Sequence, residues 1–317
     1  MKYILKTLVI FLSVNLIAQN KKNEYQKYAI DSSTTYSYEK PKFFDILTKI
    51  PKDIGSTFKD IGKNENLIGL GAATALTLII IPQDQKLLDE SRIIGEKIGL
   101  KDVARYNSFG PFNNIPPNIT SGIYLIGNGS TPIMLSVGFA TYGLIKNDYR
   151  SLNTATGLME SLAVSGIFSQ TIKRISGRQS PEPAIKEGHP GGNWNPFPSF
   201  KAFATHTPNY DAFPSGHLMT ATAALYVITG NYTEIKWIKP VGLTLIGVLG
   251  FEMVQANVHW YSDYPIAIFR GYIIGKNIAN NKIKKSKIED QNNKSYSIKF
   301  SANRISGYNL FGAQLTF

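Results

Sequence analysis

The chain of 317 residues contains no cysteine. That absence excludes structural disulfides, thiolate metal sites and lipidation through a cysteine. Histidine is scarce, with four in the whole sequence, so each can be weighed singly. Hydrophobic residues make up 43% and the mean hydropathy is −0.11. Those values are ordinary for a soluble globular protein and low for a bundle that lies mostly in a membrane. There is no internal repeat, no nucleic-acid motif and no basic recognition helix, so nucleic acid is not an expected partner. What the chain does have is positive charge. Thirty-four Lys and Arg against twenty-two Asp and Glu give a formal net charge of +12, which favours anionic partners such as phosphorylated molecules or an acidic membrane surface.

From the N-terminus, Met1 to Ala18 carries Lys2 and Lys6 ahead of an apolar run and ends in polar residues, the pattern of a signal peptide at 1–18 or of an uncleaved anchor. Residues 19–64 read as a polar linker followed by an amphipathic segment with apolar positions from Leu47 to Ile61. Residues 65–280 form the main domain. Leu67 to Ile81 is apolar but shorter than the about 20 residues a spanning helix needs. Lys86 to Leu100 reads as a charged helix, Asn107 to Pro117 as a loop, and Ile119 to Ile145 as two helices or a kinked one. Asn153 to Ile175 reads as a helix capped by Asn153, with Glu160 solvent-facing or paired. Gly177 to Phe213, holding His189 and His206, is a long connection suited to a lid or specificity element. Helices follow at Leu218 to Thr229, Ile238 to Ala256 and Tyr264 to Asn280, with Gly271 and Gly275 spaced for close packing. Residues 281–317 combine a basic run, read as a solvated helix end, with alternating strands around Ser306-Gly307 that predict a short C-terminal β-hairpin.

Two clusters hold the candidate chemistry. Pro214-Ser215-Gly216-His217 opens an apolar helix, and free N–H groups there, with a hydroxyl and the positive end of the helix dipole, make an anion site. His259 and Asp263 are four apart, so on a helix they share a face, and the carboxylate can hold the imidazole in one tautomer. An oriented imidazole is a nucleophile or a base. His217 supplies the complementary acid if the fold brings the clusters together.

P-S-G-H followed by H-x-x-x-D resembles the type 2 phosphatidic acid phosphatase and vanadium haloperoxidase superfamily, over roughly Asn153 to Ile278. The resemblance implies an all-α helical bundle of the acid phosphatase/haloperoxidase type. It implies phosphate binding by Lys173, Ser215 and Gly216, a nucleophile at His259, its orienting partner at Asp263 and a general acid at His217, with no metal required. The family pattern also has two phosphate-binding arginines, and here Ser180 and Met253 stand in their places. A guanidinium binds phosphate through a planar fork that neither residue can reproduce. Arg178 and Arg174 are the cations near enough in sequence to compensate, and Arg270, two helical turns or about 10 Å beyond Asp263, is a weaker candidate.

Three functions remain open on this reading. The first is an envelope hydrolase for phosphomonoesters or lipid phosphates. The second is a phosphatase-like scaffold that binds an anionic headgroup or a partner protein without turnover, and the third, vanadate-dependent peroxidase chemistry, leans on the same missing arginines. Low hydropathy, with Glu160, Glu252 and Arg270 inside apolar runs, leads to the expectation of a soluble or peripheral periplasmic domain over a membrane-embedded one.

Overall fold

A computed structural model describes residues 25–100, 107–109, 112–116, 118–287, 297–305 and 308–316. The signal-like segment 1–18 lies outside these residues. A small three-stranded antiparallel sheet starts the described chain, with β1 (Tyr25–Ala29) and β2 (Thr34–Glu39) adjacent in sequence. Helices α1 (Ile50–Ile61), α2 (Asn64–Ile80) and α3 (Asp84–Lys97) follow. A two-stranded turn, β3 (Asn107–Phe109) with β4 (Phe112–Ile115), occupies the stretch expected to be a loop. Then come α4 (Ile119–Gly127), α5 (Ser130–Lys146), the long α6 (Tyr149–Ser176) and the short α7 (Pro181–Glu187) and α8 (Phe200–Thr205). Helices α9 (Gly216–Asn231), α10 (Ile238–Gln255) and α11 (Tyr264–Lys282) complete the bundle. Strand β5 (Lys284–Lys287) returns to pair with β2, and β6 (Ser297–Ile305) with β7 (Tyr308–Thr316) forms the C-terminal hairpin.

The centre of the bundle is α6, α9 and α11. Close approach of α9 and α11 depends on the glycine pair seen in the sequence. A Cβ at Gly271 would lie 2.5 Å from the Met219 carbonyl oxygen, and one at Gly275 would lie 2.3 Å from that of Ala223. Any side chain there would push the backbones apart. Helix α6 begins four residues before the expected cap. Asn147 ends α5 in the left-handed conformation, and Asp148 then accepts the Ser151 N–H at 2.6 Å as the true cap. Asn153 instead is buried, donating to the Glu39 and Tyr149 carbonyls.

Two expectations for the polar segments are corrected. The stretch expected to be a linker contains β1 and β2, and Tyr36 and Tyr38 of β2 build a second small core with Tyr149 and Ile283. The basic run is not a solvated helix end. Lys282 is buried and donates to Glu160 at 2.9 Å and to Thr156 at 2.9 Å, while Lys284–Lys287 form the outer strand of the sheet. Glu160, left as solvent-facing or paired, is the buried partner of that ion pair.

Which residues face outwards decides the environment. The buried residues of α1 are Asp53, Thr57 and Ile61, and those of α2 are Asn66, Ala73 and Thr77. In α5 they are Pro132, Ser136 and Gly143. The exposed residues of the same helices include Phe58, Ile68, Leu78, Ile79, Leu144 and Ile145. Small and polar groups inside with large aliphatic groups outside is the reverse of a water-soluble bundle and suits a hydrocarbon surround. Two stretches, Asn64–Lys97 and Ile238–Gln255, are long and apolar enough to cross a membrane, and α4 with α5, bent by 73°, is a third if counted as one broken span. These features support association with a membrane. The central cluster of the bundle is apolar, and it is the flanking helices α1, α2 and α5 that turn small and polar residues inwards.

Candidate active site

The site forms where the C-terminal end of α6 meets the N-termini of α9 and α11. Ser215 caps α9, its Oγ accepting the Leu218 N–H. Lys173, in the last turn of α6, reaches this helix start. A Cβ built on Gly216 would lie 3.8 Å from the Lys173 Nζ and 3.1 Å from the Ser169 Oγ. The Ser169 distance is tighter than an ordinary side-chain contact, so glycine there lets the start of α9 sit close against α6.

His259 and Asp263 do meet, but not on a helix. His259 precedes a 3-10 turn, Tyr261–Asp263, that leads into α11. Asp263 reaches back across that turn, its Oδ2 accepting the Trp260 N–H at 2.8 Å and lying 3.3 Å from the His259 Nδ1. The network therefore assigns Nδ1–H to the carboxylate and leaves the lone pair on Nε2. The His217 ring faces that of His259, with centroids 5.8 Å apart, and packs against Tyr124 on its other side. Burial, His259 and Lys173 together push the His217 pKa well below its ordinary value of 6.5. In the resting site His217 is neutral.

Arg178 does not serve as the expected phosphate ligand. Its guanidinium is fully buried, with NH1 donating to Asp263 Oδ1 at 2.6 Å and to Ser262 Oγ at 2.6 Å. NH2 donates to Asp84 Oδ2 at 2.6 Å and to the Gly191 carbonyl. Ser262 in turn donates its N–H and its hydroxyl to Asp84. Arg178 is thus the hub that fixes Asp263, and through it His259. Arg174 is placed outside the site as well, its guanidinium 4.2 Å from the Phe200 ring centroid and 4.3 Å from that of Phe203.

Two residues were missed. Asp84 ended an apolar run in the sequence, and nothing local shows that it pairs with a residue 94 positions away. Asp211 takes up the remaining cation, its Oδ2 accepting from Lys173 at 3.4 Å and its Oδ1 from Ser180 at 3.4 Å. Met253 is buried in the apolar core. The connection from Gly177 to Phe213 is pinned at both ends. Arg178 makes isolated backbone bridges to Trp194 and Asp211, and the Trp260 indole donates to the Gln179 carbonyl at 2.8 Å. His189 lies in this connection beside Gln179 and Glu187, and among the described residues no group of three or more His, Cys, Asp or Glu could hold a metal ion.

The bundle thus brings together an imidazole oriented by a carboxylate, a second histidine, a lysine and a helix N-terminus. Residues 154–284 match the family model of the PAP2 superfamily, over nearly the stretch that carries the motif resemblance. A solved structure, the first transmembrane PAP2 type phosphatidylglycerolphosphate phosphatase from Bacillus subtilis, is similar at 13% identity and a TM-score of 0.35, over 75% of this chain and 94% of that one. No curated protein matches the sequence.

Proposed function

We propose that the protein hydrolyses a phosphomonoester, free or carried on a lipid, through a phosphohistidine on His259. The observation that carries this reading is the His259 Nδ1 contact to Asp263, which leaves Nε2 as the nucleophilic nitrogen beside His217. Nε2 attacks phosphorus, the ester P–O bond breaks, and His217 gives a proton to the departing alkoxide. Water then attacks the phosphohistidine, transferring its proton back to His217 and releasing phosphate. Lys173 and the N–H groups of the α9 N-terminus take the phosphate charge. His217 is neutral at rest, so it must gain its proton as the anion binds, because a phosphate nearby raises its pKa.

The protein is proposed to act in the cell envelope, to which the signal-like segment 1–18 addresses it. A second reading, a scaffold that binds without turnover, is supported by Asp211. Its carboxylate sits on Lys173, where a phosphate would, and neither Ser180 nor Met253 offers a fork to displace it. Hydrolysis of a soluble phosphomonoester and of a lipid phosphate by wild type and His259→Ala separates the two. Turnover lost in the variant supports the enzyme. Equal inertness, with activity appearing in Ser180→Arg/Met253→Arg, supports the scaffold.

A further inference from the structure

The end of the bundle remote from His259 carries a second pocket. It has a volume of about 480 Å³ and lies between the C-terminal end of α9, the start of α10 and the later turns of α11. Three lysines line it, Lys236, Lys239 and Lys276, and no Asp or Glu does. The nearest acid in sequence, Glu234, is turned away to Arg150, whose NH2 donates to it at 2.6 Å and 2.8 Å. Two of the lysines are laid along aromatic rings. Lys239 Nζ is 5.4 Å from the centroid of Tyr226, and Lys276 Nζ donates to the Tyr272 hydroxyl at 3.0 Å. From Gly216 at the catalytic end to Gly230 in this pocket, α9 rises by about 20 Å, so the two sites are separate.

Tyr226 and Tyr272 are also the upper wall of an apolar groove of about 610 Å³ between α2, α10 and α11. Small residues of α2, among them Gly69, Ala72 and Ala73, form its floor, and Leu243 and Ile268 flank it. Below the basic pocket, then, runs a channel of hydrocarbon character on a surface whose exposed side chains are aliphatic. Trp237, exposed beside Lys236, marks the level where an indole sits at a membrane interface.

We propose that this pocket and groove bind one acidic phospholipid, with its phosphate on Lys236, Lys239 and Lys276 and an acyl chain along α2. Charge complementarity selects the headgroup, and continuity with the groove through the two tyrosines selects a lipid over a free anion. The headgroup pocket is distinct from the catalytic site, although the groove's far end reaches Tyr261 and Tyr264 beside the catalytic turn, and the proposal stands whether or not the chain turns over phosphate.

Trp237 supplies the test. The full chain is reconstituted in phosphatidylcholine vesicles containing either brominated phosphatidylglycerol or brominated phosphatidylcholine, and quenching of the emission absent in Trp237→Phe is measured. The expected result is about a tenfold preference for the acidic lipid, falling to about twofold or less in Lys236→Glu/Lys239→Glu, given the attraction of each lysine for an anionic headgroup. Lys284→Glu/Lys287→Glu, which alters the same end of the bundle outside the pocket, keeps the preference, and so does addition of inorganic phosphate. Equal quenching by both lipids overturns the proposal. So does equal loss in the two lysine pairs, which would mean diffuse surface attraction, or displacement by inorganic phosphate, which would mean a free-anion site.

Discussion

Arg178 holds two carboxylates at once, and both are fully buried with it. Replacing it by methionine leaves Asp84 and Asp263 without their cation in a region closed to water. The cost of breaking a buried pair in this way is about 3–5 kcal/mol. Arg178→Met is expected to lower the unfolding temperature strongly and to abolish any turnover, whereas Arg174→Ala, which loses only contacts with Phe200 and Phe203, leaves turnover nearly intact; thermal unfolding and phosphate release measure the difference. His217 gives a pH prediction. Its folded pKa lies well below 6.5, so the unfolded chain takes up the proton first as pH falls. The stability tied to its neutral form is complete above about pH 6.5 and is lost as pH drops below that value. His217→Asn should flatten this part of a stability–pH curve, and a slope unchanged by the substitution would contradict the assignment. The histidines and Asp263 were legible because the chemistry sits in two short motifs. Asp84 and Asp211 were not, since each acquires its meaning only from Arg178 or Lys173 far along the chain.

Helices were legible wherever apolar periodicity and caps agreed, as in α9, α10 and α11. Failures came where pairing is long-range. Strand β5 is four residues of Lys and Ser, whose place in a sheet is set by β2 some 250 positions earlier, and a charge run offers no local sign of that. The ion pair of Lys282 and Glu160 joins α11 to α6 in the same way, with each side chain about 1% exposed. Lys282→Met alone strands a buried carboxylate and is expected to cost about 3 kcal/mol or more, while Lys282→Met/Glu160→Leu recovers most of that loss. A denaturation series on the two variants and the single Glu160→Leu closes the cycle, and additive losses would argue against direct coupling. Gly275→Leu would drive a side chain into the Ala223 carbonyl and should cost more than Gly247→Leu, whose Cβ position is open.

At the scale of the molecule, an apolar centre is flanked by helices with small or polar inner faces, where Asn277 joins Ser56 and Asp60 across α1 and α11, and with aliphatic residues outside. Overall hydropathy could not reveal this, because it averages over both. The stretch that carries the motif resemblance coincides with the family-model match over 154–284, and the loss of both motif arginines is its main departure from the family pattern. Arg178 holds Asp263, which lies against His259, and Lys173 is the cation beside the start of α9 on which the proposed anion site depends. The most direct measurement is intact-protein mass spectrometry after brief acid-free exposure to a phosphomonoester, with His259→Ala alongside. The account predicts a wild-type species heavier by one phosphoryl group, labile to acid and absent from the variant. Wild-type protein that stays unmodified while it releases phosphate, or a phosphoryl group that persists in His259→Ala, would contradict it.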